Sequence, residues 1–188
     1  MNKVVVGLDE VGRGCIAGPV VAAAVILDDE KPIDGLMDSK KLTKKRREVL
    51  AQQIIESAKA WSIGRAEVAE IDEINILQAS LLAMKRAFDG LDIKAGYAKV
   101  DGTFYPDIDL PGECIKGGDN LVAEISAASI IAKVYRDEQM ALLDVLYPGY
   151  GLSKHAGYPT PDHKMKLAQQ GVISIYRQSF SPVRKLLP

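Results

Sequence analysis

An α/β fold, in which a mixed five-stranded sheet carries packed helices and continues into a helical C-terminal extension, is predicted by three features of the sequence. Short apolar runs rich in valine and alanine alternate with longer stretches of helical period. The longest helical pattern, Asn120 to Tyr147, opens on small residues that let a helix approach a sheet closely. Past Pro148 the chain turns to glycine- and proline-rich turns followed by helices.

The first two strands are read at Val4 to Asp9 and Val20 to Leu27, a hairpin with an elaborate turn containing Gly12, Gly14, Gly18 and Pro19. A loop with Pro32, Gly35 and Asp38-Ser39 leads to a helix of about four turns over Thr43 to Lys59, with Thr43 as N-cap. Ala60 to Ala66 reads as a third strand. Asn75 to Phe88 reads as a largely buried helix, because Ile76, Leu77, Ala79, Leu81, Leu82 and Met84 cover most of its surface. Gly96 to Val100 and Glu113 to Lys116 give two short strands, each running into an aspartate-bearing turn, Asp101-Gly102 and Gly117-Gly118-Asp119. Beyond the Asn120 to Tyr147 helix, Thr160-Pro161 opens another that runs to Gln170.

The chain has 188 residues, 47% hydrophobic and 26% charged, which suits one sizeable core. A main unit over 1–147 is expected, with 148–188 packed on it as the helical extension. The apolar run Val20 to Leu27 is far shorter than the ~20 residues that span a bilayer, so no membrane association is expected. Met1-Asn2-Lys3 leads directly into a strand without the features of a secretion signal, which points to the cytoplasm. Cys15 and Cys114 read as reduced thiols. Net charge is −1, so no overall basic excess announces a nucleic-acid partner. The local run Lys40 to Arg47 is nevertheless strongly cationic, either a solvated helix start or a phosphate-facing patch.

Four acids fall where strands end or turns begin: Asp9, Glu10, Asp101 and Asp119. Taken singly, Asp101-Gly102 is a common turn pair and Asp119 a good helix cap. Asp9 and Glu10 resist such readings, because they interrupt an apolar strand where an unpaired carboxylate is costly. Strand neighbours point to opposite faces, so the two share a site only if the strand twists, bulges or ends there. Two like charges at ~4 Å repel by about 4 kcal/mol at an effective dielectric of ~20, so four clustered carboxylates call for cations. Oxygen-only donors favour Mg²⁺ or Mn²⁺, and a pair of such ions is suited to phosphodiester hydrolysis. Gly12-x-Gly14-x-x-Ala17 also fits a dinucleotide fingerprint, but β-rich sequence follows where that motif needs a helix. His155 and His163 lie in no nucleophile setting and read as surface or structural residues. Tyr158, in Gly157-Tyr158-Pro159-Thr160, could stack on a sugar or base or simply pack.

These segments in order, Asp9-Glu10-Val11-Gly12-Arg13-Gly14, Asp38-Ser39-Lys40-Lys41-Leu42, Asn75-Ile76-Leu77-Gln78, Val100-Asp101-Gly102, Gly118-Asp119, Ala123 to Ile130, His155-x-Gly157-Tyr158-Pro159-Thr160 and Ser179-Phe180, closely resemble bacterial ribonuclease HII, the type 2 ribonuclease H. The resemblance implies a ribonuclease H-like sheet and a metal-dependent endonuclease. Its expected activity is to cut the RNA strand of RNA/DNA hybrids and to incise 5′ to single ribonucleotides in duplex DNA, leaving 3′-hydroxyl and 5′-phosphate ends. It implies that Asp9, Glu10, Asp101 and Asp119 hold Mn²⁺ or Mg²⁺, and that Gly12, Arg13 and Gly14 meet the ribose 2′-hydroxyl. Tyr158 is expected to stack on the following deoxyribose, and Lys40 to lie near the substrate backbone. Cys15 stands where the family more often has proline. The tail after Phe180 lacks the clamp-binding glutamine-and-aromatic motif of some relatives, so sliding-clamp docking is doubtful and a monomer is expected. The rival reading, a hybrid-binding module without catalysis, gains nothing from four acids beside phosphates.

Overall fold

The computed structural model describes residues 4–187, so Met1-Asn2-Lys3 and Pro188, on which the expectations about the start and tail of the chain partly rest, lie outside it. Five strands form one sheet in the order β3-β2-β1-β4-β5, with β1 Val5–Val11, β2 Val20–Ile26, β3 Ala60–Ala66, β4 Tyr97–Asp101 and β5 Gly112–Ile115. The β1/β2 and β2/β3 pairs are antiparallel, and the β1/β4 and β4/β5 pairs parallel. The sheet is therefore mixed, as the sequence predicts.

All of β2 is buried because helices cover both sides of the sheet. Val20, Ala22, Ala24 and Ile26 pack with Val6 and Leu8 against α2, Val68–Asp89. Val21, Ala23 and Val25 face α1, Lys44–Ser57, and α3, Ala123–Leu146. Small residues set how closely those helices approach. A Cβ on Gly7 would lie 2.2 Å from the Glu124 main chain, and one on Gly64 would lie 2.1 Å from the Ala83 carbonyl oxygen. These contacts leave room for hydrogen only.

Two helix starts differ from the sequence reading. α2 begins at Val68, seven residues before the Asn75 start, and is broken at Asn75, which has φ 68° and ψ 165°. The Asn75 carboxamide oxygen accepts from the Leu77 and Gln78 amides at 2.9 and 3.1 Å, so it caps the second part of a kinked helix. The acidic first part, capped by reciprocal Glu67 and Glu70 bonds, shows no broad apolar face in the sequence. α3 begins at Ala123 rather than Asn120, because Gly118–Asn120 forms a separate 3₁₀ turn.

The C-terminal segment adds α4, Leu152–His155, α5, Pro161–Gln170, and α6, Ser181–Arg184. Its Tyr150, Leu152, Leu167, Ile175, Tyr176 and Val183 share one apolar cluster with Ile16, Ala17 and Met140. Ala17 also bridges to Tyr176 through the main chain, so the segment is seated directly behind the β1–β2 turn.

Replacing Gly64 by alanine should force β3 and α2 apart and lower stability by about 1–3 kcal/mol, read as a reduced urea midpoint at unchanged slope. A midpoint equal to that of the parent chain would show that α2 shifts freely.

Candidate active site

The parallel register of β1 and β4 creates the site. Leu8 lies opposite Val100, so Asp9 continues beside Asp101 at the carboxyl-end rim of the sheet. β1 runs on without a bulge through Glu10 to Val11, paired with Ala22 and Val21 of β2. Asp9 therefore faces α3 and Glu10 the opposite side. They act on one neighbourhood because β4 stops at Asp101, leaving Glu10 beyond the paired end, and Asp101 is electrostatically coupled to both.

Hydrogen bonds complete the cluster. Asp101 accepts the Gly118 amide at 2.7 Å, which draws the 3₁₀ turn and Asp119 against the strand end. Asp119 accepts from the Asn120 carboxamide at 3.0 Å, and its carbonyl accepts from the Ser126 hydroxyl at 2.7 Å. Asp119 is thus not a helix cap. Asp9 accepts the Glu10 amide at 2.7 Å and a hydrogen bond from Ser129 of α3. Ser129 in turn meets Ser39 at 3.0 Å.

Burial pushes the carboxyl groups of Asp9, Glu10 and Asp119 above their ordinary range. Neighbouring carboxylates add to the rise: Glu10 and Asp101 on Asp9, Asp101 on Glu10, and Asp38 and Asp101 on Asp119. Arg13, which donates to Glu10 at 3.1 Å, partly offsets the effect there. At Lys40, desolvation favours the neutral amine, but Asp38, Asp9 and Asp119 outweigh it and raise the ammonium above its usual value. Lys40 lies in the same field as Tyr158, whose ring edge is 3.9 Å from the Cβ position of Gly14. The fold thus brings all nine sequence-predicted residues, Asp9, Glu10, Gly12, Arg13, Gly14, Lys40, Asp101, Asp119 and Tyr158, around one rim.

The donors are all oxygens, the chemistry of a hard divalent cation, and a cation would relieve their mutual repulsion. As the side chains stand, no group of three or more acidic, histidine or cysteine side chains among the described residues is arranged to hold a metal ion. Glu10 is turned to Arg13, Asp101 to the Gly118 amide and Asp119 to Asn120. Cavities of about 680 and 500 Å³ lie elsewhere, one beside Gln78 and Tyr105 and one beside Trp61 and Tyr135. Neither is lined by a carboxylate of the rim.

The family described as Ribonuclease HII matches this chain over residues 6–183. A Ribonuclease HII of Methylococcus capsulatus is 54% identical over 187 residues, covering 100% of this chain and 97% of that protein. The chain belongs to the ribonuclease HII family. It is accordingly a metal-dependent endoribonuclease, directed to the RNA strand of RNA/DNA hybrids. The crystal structure of ribonuclease H2 from Pyrococcus horikoshii superposes with a TM-score of 0.82 at 29% identity, covering 97% of this chain and 96% of that one. Ribonuclease HII of Archaeoglobus fulgidus, solved in complex with PCNA, has a TM-score of 0.75 at 27% identity, covering 95% of each chain.

Several residues support the site from behind: the sequence reading leaves His155 and His163 as surface or structural and does not single out Arg136 or Arg177. His155 and His163 are buried, with rings stacked at 3.8 Å. His163 Nδ1 faces the Tyr158 carbonyl at 2.8 Å and so carries the proton, and Nε2 accepts from the Tyr176 hydroxyl at 2.9 Å. His155 Nε2 donates to the Tyr150 carbonyl at 3.0 Å, and Nδ1 accepts the Gly157 amide at 3.2 Å. The two neutral rings brace the turn that carries Tyr158. Arg136 and Arg177, both fully buried, hold the β1–β2 turn from behind. The available signal for Arg136 was its place on the sheet-facing side of α3, one row with Ser129 and Met140.

Burial lowers His163 from 6.5 to about 4. The unfolded chain therefore takes up the proton first, so this contribution to stability is full above pH ~6.5 and is lost as pH falls toward ~4. Between pH ~7.5 and pH ~5 the loss through His163 should be about 2 kcal/mol, measured by urea unfolding. H163Q should show a pH dependence flatter by that amount, and an equally steep decline would reject the assignment.

Proposed function

We propose that this ribonuclease HII incises duplex DNA on the 5′ side of a single embedded ribonucleotide, as well as the RNA strand of hybrids, by hydrolysis at the Asp9–Glu10–Asp101–Asp119 rim. The observation that supports this reading most is the convergence of the four carboxylates beside the Gly12-Arg13-Gly14 turn, with Tyr158 on its far side.

In this reading Asp9, Glu10, Asp101 and Asp119 hold divalent cations, Mg²⁺ or Mn²⁺. Such ions supply activation of the attacking water and stabilisation of the leaving 3′-oxygen. Gly12, Arg13 and Gly14 meet the 2′-hydroxyl, the one group that separates ribose from deoxyribose. Arg13 and Gly14 are exposed and able to do so. Tyr158, half-buried with the Lys133 ammonium 5.9 Å from its ring centroid, offers its free face to the next sugar. Lys40, exposed on a turn closed by the Asp38 side chain accepting its amide at 2.9 Å, lies where a scissile-strand phosphate would approach the acids.

The cationic run divides. Arg47 turns inward, donating to the Ser39 and Leu42 carbonyls at 2.6 and 3.2 Å and pairing with Asp137 at 3.6 Å. Lys40, Lys41, Lys44, Lys45 and Arg46 are exposed. Arg47 therefore braces the Ser39–Ser129–Asp9 connection, and the exposed cations alone can contact phosphates.

With Mg²⁺ or Mn²⁺ and a DNA duplex carrying one ribonucleotide, the protein should nick 5′ to that residue. Asp101→Asn should slow the reaction by about 10²-fold or more. No incision of this duplex by the parent chain, with cleavage of an RNA/DNA hybrid retained, would reject the embedded-ribonucleotide reading. Duplex affinity should fall with log salt at a slope of about −2 to −3, and replacing Lys44, Lys45 and Arg46 by glutamine should flatten it. An unchanged slope would return these residues to the role of solvated helix start.

A further inference from the structure

Arg136 is buried with all its hydrogen bonds directed at main-chain carbonyls, drawn from two segments far apart in sequence. Its Nε donates to Pro19 at 3.1 Å and Nη2 to Ala17 at 3.1 Å, both in the β1–β2 turn. Its Nη1 donates to Ala156 at 2.6 Å, two residues before Tyr158. Ala156 is held at φ 48°, a left-handed conformation that a β-carbon disfavours, so its carbonyl is directed by something other than local preference. The Cys15 thiol donates to the same carbonyl at 3.4 Å.

The two substrate-reading segments close around the guanidinium. A Cβ on Gly12, at φ 96°, would lie 2.3 Å from Arg136 Nε. One on Gly157, at φ 82°, would lie 2.7 Å from the Ala17 carbonyl oxygen and 3.4 Å from Arg136 Nη2. The Ile16 amide donates to the Gly157 carbonyl at 2.9 Å, joining the segments directly. A planar fork with fixed donor directions suits such a junction, because moving either segment strands a buried donor or acceptor. Lysine has the charge without the fork. Arg177 differs in reach: it donates to Gly18 at 3.0 and 2.9 Å and to Arg13 at 3.1 Å, and so holds the turn alone.

We infer that Arg136 is a positioning residue that fixes the distance between the Gly12–Gly14 turn and Tyr158, and so sets the preference for a ribonucleotide followed by a deoxyribonucleotide over continuous RNA. The inference rests on the proposed roles of those two segments. A junction substrate engages both at once, ribose on the turn and deoxyribose on Tyr158, so its rate depends on their spacing. Continuous RNA presents no deoxyribose to Tyr158 and depends less on it.

The test is the ratio of kcat/KM for a duplex with one ribonucleotide to kcat/KM for an all-RNA/DNA hybrid, measured on one preparation so that the active fraction cancels. R136K should lower this ratio about ten-fold, as a small misplacement of a binding group does. A merely structural role would lower both rates alike and leave the ratio unchanged, which would overturn the inference. If R136K does not fold, C15A takes its place: it removes the second donor to Ala156, and the ratio should fall about two-fold. An unchanged ratio in C15A would then overturn the inference. A parent chain that cuts neither substrate would overturn the proposed function itself, whereas one that cuts both while the variant ratio stays constant would overturn only the role of Arg136.

Discussion

Because β1 and β4 run parallel with Leu8 opposite Val100, both strands deliver their carboxyl ends to one rim, and Asp9, Glu10 and Asp101 arrive there together. A one-residue slip would turn Leu8 and Val100 out of the α2-side core and move Asp9 to the wrong face. The apolar residues that hold the register are thus the same ones that place the acids. Asp119 is not on a strand of this pair, and it is brought in by the Asp101 bond to the Gly118 amide. The acid that completes the rim depends on another acid for its position.

Charge is distributed in two layers. On the solvent side lie carboxylates whose burial and crowding favour their protonated forms. Behind the adjoining turn lie Arg136 and Arg177, fully buried and bonded to carbonyls. Burial weakens the positive charge of Arg177, holding it down at about 10, still well above any physiological pH. A buried charge without hydrogen bonds would cost several kcal/mol, and the carbonyls of a tight turn supply the needed acceptors. The β1–β2 turn is therefore held from its inner side, which leaves Arg13 and Gly14 exposed on its outer face.

Much of the sheet was legible because burial on both faces writes continuous apolar runs: Val20 to Leu27, read as a hairpin strand, forms β2 over Val20–Ile26, paired on both edges. Asp9 and Glu10 were legible for the opposite reason, since charge is conspicuous at the end of an apolar strand, whereas Asp101 and Asp119 taken singly also fit a turn pair and a helix cap. What was not legible had weak local signals. The first part of α2 intersperses Glu70, Asp72 and Glu73 with Val68, Ala69, Ile71 and Ile74, an apolar stripe only about two turns long, and the capping box at Glu67 and Glu70 is the clearest mark of its start. Arg136 resembled any arginine on a long charged helix until α3 was laid against the sheet and its row with Ser129 and Met140 proved to face inward. His155 and His163 gave no sign of stacking, because the turn at Ala156–Gly157 that folds one over the other has no signature in residue type beyond glycine.

Cys15 illustrates how such a hidden network bears on a visible motif. Proline at this position would fix the main chain after Gly14 by its ring, whereas cysteine leaves it to outside contacts. Those contacts are present. The Cys15 amide donates to the Gly12 carbonyl at 3.3 Å, closing the turn, and its fully buried thiol reaches Ala156. Burial raises the thiol above its ordinary value despite the opposing fields of Arg136 and Arg177, so it stays protonated and able to donate. Rigidity that proline would build into the chain is supplied here by packing between two segments, and the conformation of the Gly12-Arg13-Gly14 turn is thereby tied to the turn that carries Tyr158.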